Sequence, residues 1–442
     1  MNNIKFTYVD KFFVALVVVI LFSSDRNLLV THYILGGSQN AGLITIPFIL
    51  LALFFLFYIL ALRGRLIVRH SHRRLIVVSI ILAIYFAAHE FIFGDGFTSL
   101  KYSIYILLIN LALMVRYNSY FIFKIIGYAG GLISLIVVLQ QFLLLTIDGG
   151  DLSKFEVAIQ GDEWARWLGC DFVNPYGLGL MERCIWGYDV YIGELKFNRS
   201  IFFSTEPKYF SSIILITFAS LILSKTNSLA KRFFLLMHAL AFLASASASA
   251  IIVLIISAGL VITRFIGPKI YTTSIFLLPI FILPIAFYLI ISLTGIDGFL
   301  LNRVASAFSS MGDGQIQAIS IFGQSTQECE KALCRDIGLV GNVTEVYGLV
   351  GFSIYWVFIY FVTKPLFNLL KNNEIEFSNR FGLALLLNTY VVFNIYFFSD
   401  IFNMFGVLII LTIILLPDYI LEQRRMLSSE NYLNSNNSLR AI

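Results

Sequence analysis

Long apolar runs, separated by short charged or turn-forming segments, dominate the pattern of the chain. Many are close to 20 residues long, the length a helix needs to cross a hydrocarbon core of about 30 Å. We expect the first run (Phe12–Phe22) to be a retained helix, because no small-residue cleavage site accompanies it. The pattern predicts twelve helices, at residues 7–24, 42–62, 75–93, 98–115, 125–147, 208–224, 233–248, 250–265, 271–293, 342–363, 381–398 and 401–417.

Composition supports a polytopic membrane protein of all-α fold. Hydrophobic residues make up 59% of the 442 residues and charged residues only 13%, whereas soluble domains carry roughly 25% charged residues. Mean hydropathy is +0.85. The net charge of +5 does not indicate nucleic acid, because Lys and Arg in such a chain mostly report topology. The expected surroundings are therefore the lipid bilayer.

The basic residues also predict an orientation. If both termini are cytoplasmic, the short outer connections hold only Arg26 and Lys101, as the positive-inside rule requires. The inner connections then hold the stretch from Arg63 to Arg74 and these further groups: Arg116 and Lys124; Lys225, Lys231 and Arg232; Arg264 and Lys269; Lys364 to Arg380; Arg424 and Arg425.

Two long outer loops divide the chain. The predicted organisation is helices in 1–147, a first outer loop at 148–207, helices in 208–293, a second outer loop at 294–341, helices in 342–417 and a cytoplasmic tail at 418–442. All four cysteines lie in these loops, two in each: Cys170, Cys184, Cys329 and Cys334. An even number in each exported loop predicts two disulfides within the loops, with four free thiols as the alternative. The loops hold no histidine, so no metal site is expected.

The first outer loop returns to the membrane through F-N-R-S-I-F-F-S-T-E-P-K-Y-F, residues 197–210. Pro207 is expected to begin the next helix, since its missing N–H needs no partner there. Arg199 and Lys208 are suited to binding a diphosphate, because the arginine guanidinium is a planar fork of donors and the lysine ammonium is a compact point charge. Glu206 is suited to complement the helix dipole. The alternative is a set of interfacial basic residues with a capping acid.

The second outer loop carries Arg303 in a stretch that resembles an amphipathic interfacial helix. It ends in C-R-D-I-G-L-V-G-N-V-T-E-V-Y-G-L-V-G, residues 334–351. This segment brings Arg335, Asn342 and Glu345 to the start of a helix. Its Gly348 and Gly351 are expected to allow close helix contact.

Ionisable residues within the apolar runs are few: His89 and Glu90 near a helix end, His238, and Asp400. A proton- or ion-coupled pump keeps more charge near the midplane. His238 is interpreted as a packing residue. The Ser- and Ala-rich stretch Leu243–Ile256 is interpreted as a close helix contact, with serines lining a cavity as the alternative.

The order of these pieces resembles the superfamily of O-antigen polymerases and ligases, bacterial inner-membrane glycosyltransferases that use a polyprenyl-diphosphate glycan as donor. The resemblance covers about residues 196–356. Arg199 corresponds to the family's arginine before an E-P pair, Glu206 and Pro207 to that pair, Arg303 to the arginine of the second loop, and Gly323 to the glycine before the loop returns. The chain has Phe202 where the family often has Gly. It has Gly341 where ligases carry His, which favours a polymerase.

The resemblance implies a GT-C-like fold and polymerisation of undecaprenyl-diphosphate-linked repeat units at the periplasmic face, without a cofactor. A chain-length regulator and a flippase are implied partners. Arg199 and Arg303, supported by Lys208 and Arg335, would stabilise the departing diphosphate. Glu206 or Glu345 would be the base, and Asn342 would contact sugar. A ligase that uses lipid A core as acceptor, and a flippase or other transporter, are the alternatives.

Three tryptophans of the first loop, Trp164, Trp167 and Trp186, are candidates for stacking on sugar faces. Tryptophan is equally suited to anchoring a loop at the membrane interface, so both interpretations stand at this point.

Overall fold

The fold is taken from a computed structural model of the chain. It describes residues 73–94, 98–114, 119–148, 157–158, 170–173, 182–184, 189–192, 195–198, 207–224, 228–245, 247–277, 321–323, 338–371, 376–392, 409–417 and 419–420. The two helices predicted at 7–24 and 42–62 lie outside the described residues.

The described part of the chain is mainly helical. Its helices are α1 (Arg73–Phe93), α2 (Thr98–Met114), α3 (Ser119–Asp148), α4 (Pro207–Leu223), α5 (Leu229–Ser245), α6 (Ala248–Ile266), α7 (Pro268–Leu277), α8 (Gly338–Lys371) and α9 (Phe377–Val392). Residues 409–417 are also helical. Each of these segments coincides with a predicted apolar run, and α4 begins at Pro207 as expected.

The helix bounds differ from the prediction mainly at the polar ends. α3 begins at Ser119 and α8 continues to Lys371, because a helix does not have to stop where its apolar run stops. Only part of the predicted helices at 271–293, 381–398 and 401–417 lies within the described residues.

Five short strands add to the helices in the first outer loop: β1 (Val157–Ala158), β2 (Cys170–Val173), β3 (Glu182–Cys184), β4 (Asp189–Ile192) and β5 (Leu195–Asn198). They form an antiparallel sheet in the order β1-β2-β3 and a separate β4-β5 hairpin. The expected all-α fold therefore holds for the described residues outside this loop.

Helix α1 shows the side-chain distribution expected in lipid. Its exposed face carries large apolar residues, such as Val77, Ile81 and Ile84, the last being 64% exposed. Its buried face includes the polar residues Ser79 and His89. Soluble proteins rarely leave such an apolar face uncovered. By length and composition, two helices of the described part are able to cross a membrane, Arg73–Phe93 and Val346–Lys371.

One end of the helix bundle is capped by basic side chains. The Lys231 amine donates to the carbonyl of Ile222 at 3.1 Å and to that of Ser224, at the C-terminal end of α4. The Tyr419 hydroxyl donates to the Leu223 carbonyl at 3.1 Å. The Tyr419 ring also stacks on Phe123 near the start of α3, with centroids 4.5 Å apart. Cations at a helix C-terminus satisfy its last carbonyls and complement its dipole.

The C-terminal end of α8 is capped in the same way. Arg380, which is only 1% exposed, donates from Nη1 to the Leu370 carbonyl at 3.2 Å. The Tyr271 hydroxyl donates to the same carbonyl at 3.0 Å. Gly382, two residues after Arg380, lies against Leu223 of α4. The C-terminal ends of α4 and α8 are therefore at the same end of the bundle, which we call the basic end.

The opposite end of the bundle, which we call the loop end, contains the N-termini of α4 and α8. This follows because both helices run away from the basic end towards their first residues. In α1 the chain runs the other way, since His89, near its C-terminus, contacts Val346 near the start of α8. Both outer loops of the predicted topology lead into the loop end, through Pro207 and Gly338.

Helices pack closely against one another in the middle of the bundle. A Cβ atom on Gly130 of α3 would lie 2.1 Å from the Thr217 side chain of α4. Thr217 Oγ1 is 3.0 Å from Nε2 of the buried His238, whose Nδ1 is 2.7 Å from the Phe234 carbonyl. Small residues at helix contacts are typical of membrane bundles. The interpretation of His238 as a hydrogen-bonded packing residue is confirmed.

The Ser- and Ala-rich stretch Leu243–Ile256 runs from the end of α5 into α6. Ser245 and Ser247 are buried, and Ser245 Oγ donates to the Phe242 carbonyl at 2.7 Å. Ala250 and Val253 are buried in the main apolar core. These contacts favour the packing interpretation of this stretch.

Candidate functional site at the break in helix α8

Helix α8 is interrupted at Gly348, ten residues after it begins. Gly348 has φ 65° and ψ −173°, a combination that only glycine adopts without substantial strain. The break separates a short helix, residues 338–347, from a long one, residues 349–371. Asn342 and Glu345 lie in the short helix. The expectation that Gly348 allows close packing was therefore incomplete, since its backbone breaks the helix.

The break frees backbone groups that an intact helix would pair with each other. Val350 N–H would donate to the Val346 carbonyl, and Gly351 N–H to the Tyr347 carbonyl. The carbonyls of Val346 and Tyr347 and the N–H of Val350 each have another partner in the structure. Because an unpaired group in apolar surroundings costs several kcal/mol, these partners are a condition for the break.

Two of the partners come from α1. His89 Nε2 donates to the Val346 carbonyl at 2.8 Å, which requires the proton on Nε2 because a carbonyl only accepts. The Tyr85 hydroxyl lies 2.6 Å from the Tyr347 carbonyl oxygen. A Cβ atom on Gly351 would lie 2.8 Å from Cε1 of the Tyr85 ring, so this side chain also lies directly against the Gly351 backbone. Tyr85 is thus inserted between the two groups that would otherwise bond in the helix, a recognised cause of helix kinks.

The other partner comes from the second outer loop. Val350 N–H donates to the Ile321 carbonyl at 3.2 Å, and the Phe322 carbonyl oxygen lies 3.0 Å from the Tyr85 hydroxyl. Gly323 follows with φ 95°, and a Cβ atom there would lie 1.9 Å from the Val346 carbonyl oxygen. The segment 321–323 therefore fits the break only because residue 323 is glycine.

Aromatic and polar contacts surround the break. The Tyr347 ring packs edge-on against Phe86, with centroids 4.7 Å apart, and lies 4.7 Å from the His89 ring. Its hydroxyl is 3.0 Å from Ser99 Oγ at the start of α2. Glu90 Oε2 accepts from Ser99 N–H at 3.1 Å, where a carboxylate complements the helix N-terminus. The break is consequently held by α1, α2 and the second loop together.

The residues predicted to act on substrate are only partly within the described structure. Lys208 is the second residue of α4, so Lys208, Asn342 and Glu345 belong to helical turns at the loop end. For these three the structure describes the backbone and not the side chain. The following predicted residues lie outside the described residues: Arg199, Glu206, Arg303, Arg335, Trp164, Trp167, Trp186, Cys329 and Cys334.

Tyr85 and His89 were not predicted as site residues. His89 is an ionisable residue near a helix end, and Tyr85 belongs to no predicted motif. Both act through contacts to residues more than 230 positions away in sequence, with separations of 237, 257 and 262. A histidine and a tyrosine four residues apart on one face of α1 were the available signal.

Comparisons with known proteins add no assignment. A search of protein-family models found no match, and searches of curated proteins and of solved structures found none either.

Replacing Gly348 by Ala tests the break. Alanine at φ 65° and ψ −173° costs roughly 1–3 kcal/mol, so we expect a lower melting temperature of the detergent-purified protein. Gly259→Ala in α6 is the control, since a Cβ atom there meets nothing within 4 Å. An unchanged melting temperature for Gly348→Ala would show that the chain does not break at this residue.

The pairing of β2 with β3 specifies one of the predicted disulfides in a form that can be tested. Cys170 and Cys184 are Cα partners on the antiparallel strands β2 and β3. Directly opposite Cα atoms in such a pair are about 4.5–5.5 Å apart, within the roughly 4.4–6.8 Å that a disulfide spans. Peptide mapping of unreduced protein should therefore recover a Cys170–Cys184 linked pair. Recovery of both as alkylated free thiols would contradict the prediction.

Proposed function

We propose that this chain polymerises glycan repeat units carried on undecaprenyl diphosphate, at the outer face of the bacterial inner membrane. The observation that carries the proposal is the docking of the second loop, through residues 321–323, onto the break that follows Asn342 and Glu345. It supports a common site for the second loop and this helical turn. The N-terminus of α4, which follows Arg199 and Glu206 in sequence, is at the same end of the bundle.

The proposed topology follows the distribution of charge. The basic end, with Lys231 and Arg380, faces the cytoplasm, and the loop end faces the periplasm. The chain then crosses the membrane about twelve times, with a GT-C-like arrangement of helices and both termini inside. A donor with its head group at the outer leaflet reaches the loop end without crossing the bilayer.

In the proposed reaction, a hydroxyl of the non-reducing-end sugar of an incoming lipid-linked unit attacks the anomeric carbon of the growing chain. The new C–O bond forms while the bond to the diphosphate breaks. The hydroxyl proton passes to Glu206 or Glu345, and undecaprenyl diphosphate leaves with the bonding electron pair. Arg199 and Arg303, with Lys208 and Arg335, stabilise the charge that develops on the diphosphate.

The proposed roles require no metal or cofactor because the donor carries its own leaving group. The free energy for transfer comes from cleavage of the sugar–diphosphate bond. Asn342 and the loop tryptophans Trp164, Trp167 and Trp186 hold the sugars. A flippase that delivers units and a regulator of chain length complete the proposed partners.

Surface-polysaccharide gels from a strain lacking the gene test this function. Wild-type protein should restore a ladder, and Arg199→Ala should leave single repeats on lipid A core, because an arginine that binds and stabilises the leaving group is lost. Lys196→Ala is the matched control, since Lys196 is a basic residue of the neighbouring strand β5, opposite Tyr191. It should restore the ladder.

Other band patterns on these gels would favour a different function. A deletion strain that keeps its ladder would contradict the polymerase. A deletion strain that also loses the single-repeat band would favour the ligase or the flippase. Equal loss in Arg199→Ala and Lys196→Ala would indicate a general need for positive charge in the loop.

A further inference from the structure

We propose that Tyr85 and His89 are positioning residues that fasten the second outer loop to the broken helix and so fix the turn that carries Asn342 and Glu345. We call these two side chains, with the segment 321–323 and residues 346–351, the break clamp. The proposal rests on the proposed function for the role of Asn342 and Glu345. The clamp itself is defined by contacts alone.

The clamp joins three parts of the chain that are far apart in sequence. The Tyr85 hydroxyl is 2.6 Å from the Tyr347 carbonyl oxygen and 3.0 Å from the Phe322 carbonyl oxygen. A single side chain of α1 thus contacts both the broken helix and the loop. Its loss would leave the Tyr347 carbonyl without this donor and would release the loop at the same time.

His89 acts one residue earlier, on the Val346 carbonyl at 2.8 Å. That carbonyl directly follows Glu345 in the chain. Gly323 is pressed against the same carbonyl, so the His89 contact and the loop contact meet at one peptide group. A shift of this group moves the backbone of Glu345 with it.

Neither side chain is placed as a reacting group. His89 is 3% exposed and its Nε2–H is donated to a backbone carbonyl. The effect on the reaction is therefore through the position of the helical turn. Misplacing a catalytic group by about 1 Å can cost on the order of 100-fold in rate.

The chain offers a matched control for Tyr85. Tyr271 makes the same type of hydrogen bond, from its hydroxyl to the Leu370 carbonyl of α8 at 3.0 Å, but at the basic end. Tyr85→Phe and Tyr271→Phe therefore remove equivalent groups from the two ends of one helix. Only the first should affect the loop end.

For His89 the control is conservative rescue. His89→Ala removes the donor, whereas His89→Gln supplies an amide N–H near the position of Nε2. A role in positioning predicts that glutamine restores much of what alanine loses. A role in general acid–base chemistry predicts that it does not, since glutamine does not titrate.

The first measurement is amide hydrogen exchange by mass spectrometry on the full-length protein in detergent. Tyr85→Phe and His89→Ala should accelerate exchange in peptides covering 321–323 and 338–351. Tyr271→Phe should leave these peptides at the wild-type rate. Unchanged exchange in Tyr85→Phe and His89→Ala would overturn the clamp, whatever the protein's activity.

The second measurement is the polysaccharide ladder at matched expression levels. Tyr85→Phe and His89→Ala should lower polymer yield by about 10- to 100-fold, with recovery in His89→Gln and a normal ladder in Tyr271→Phe. If exchange accelerates but the ladder is normal, the positioning role is wrong. If wild type makes no ladder, the proposed function fails, and the exchange data still decide whether the clamp exists.

Discussion

The structure around the candidate site depends on one constraint: backbone groups freed by a helix break in apolar surroundings must find new partners. Gly348 makes the break, and the freed carbonyls of Val346 and Tyr347 accept from His89 and Tyr85. The freed N–H group of Val350 donates to the Ile321 carbonyl of the second loop. Non-helical backbone at membrane depth is tolerated only where such partners exist.

This constraint explains why the second loop, α1 and α8 meet where they do. The loop supplies a backbone carbonyl at Ile321, and Gly323 lets the loop lie directly on the helix backbone. The break therefore ties the second loop to α8 without any covalent link. Discontinuous helices with irregular backbone mark binding sites in many transporters, and the break in α8 directly follows the turn with Asn342 and Glu345.

The two ends of the bundle use opposite chemistry. At the basic end, Lys231 and Arg380 satisfy the last carbonyls of α4 and α8, so these cations serve the helices themselves. At the loop end, the carbonyls of the break are satisfied by the His89 and Tyr85 side chains of α1. The first turn of α4, which includes Lys208, is thereby separated along the helix axis from these structural cations. A helix of 17 residues such as α4 sets that separation at about 25 Å.

The sequence was sufficient to predict most described helices, because apolar runs and Pro207 mark them directly. The sequence was not sufficient to predict the break. Glycine at 348 is compatible with close helix packing or with an irregular backbone, and only the partners on α1 and in the loop determine which of the two occurs. Those partners are remote in sequence, so no local pattern connects Tyr85 to Tyr347. The strands β1 to β5 were missed because each has only two to four residues, too few for a recognisable alternation.

The most direct test of the central claim is glycan extension by the purified protein alone. The assay supplies lipid-linked repeat units in detergent, with no nucleotide sugar, no ion gradient and no lipid A core. A polymerase should yield lipid-linked products longer by whole repeat units, together with release of undecaprenyl diphosphate. Protein that is folded and yet yields no lengthened product, but transfers glycan once lipid A core is added, would contradict the polymerase and identify a ligase.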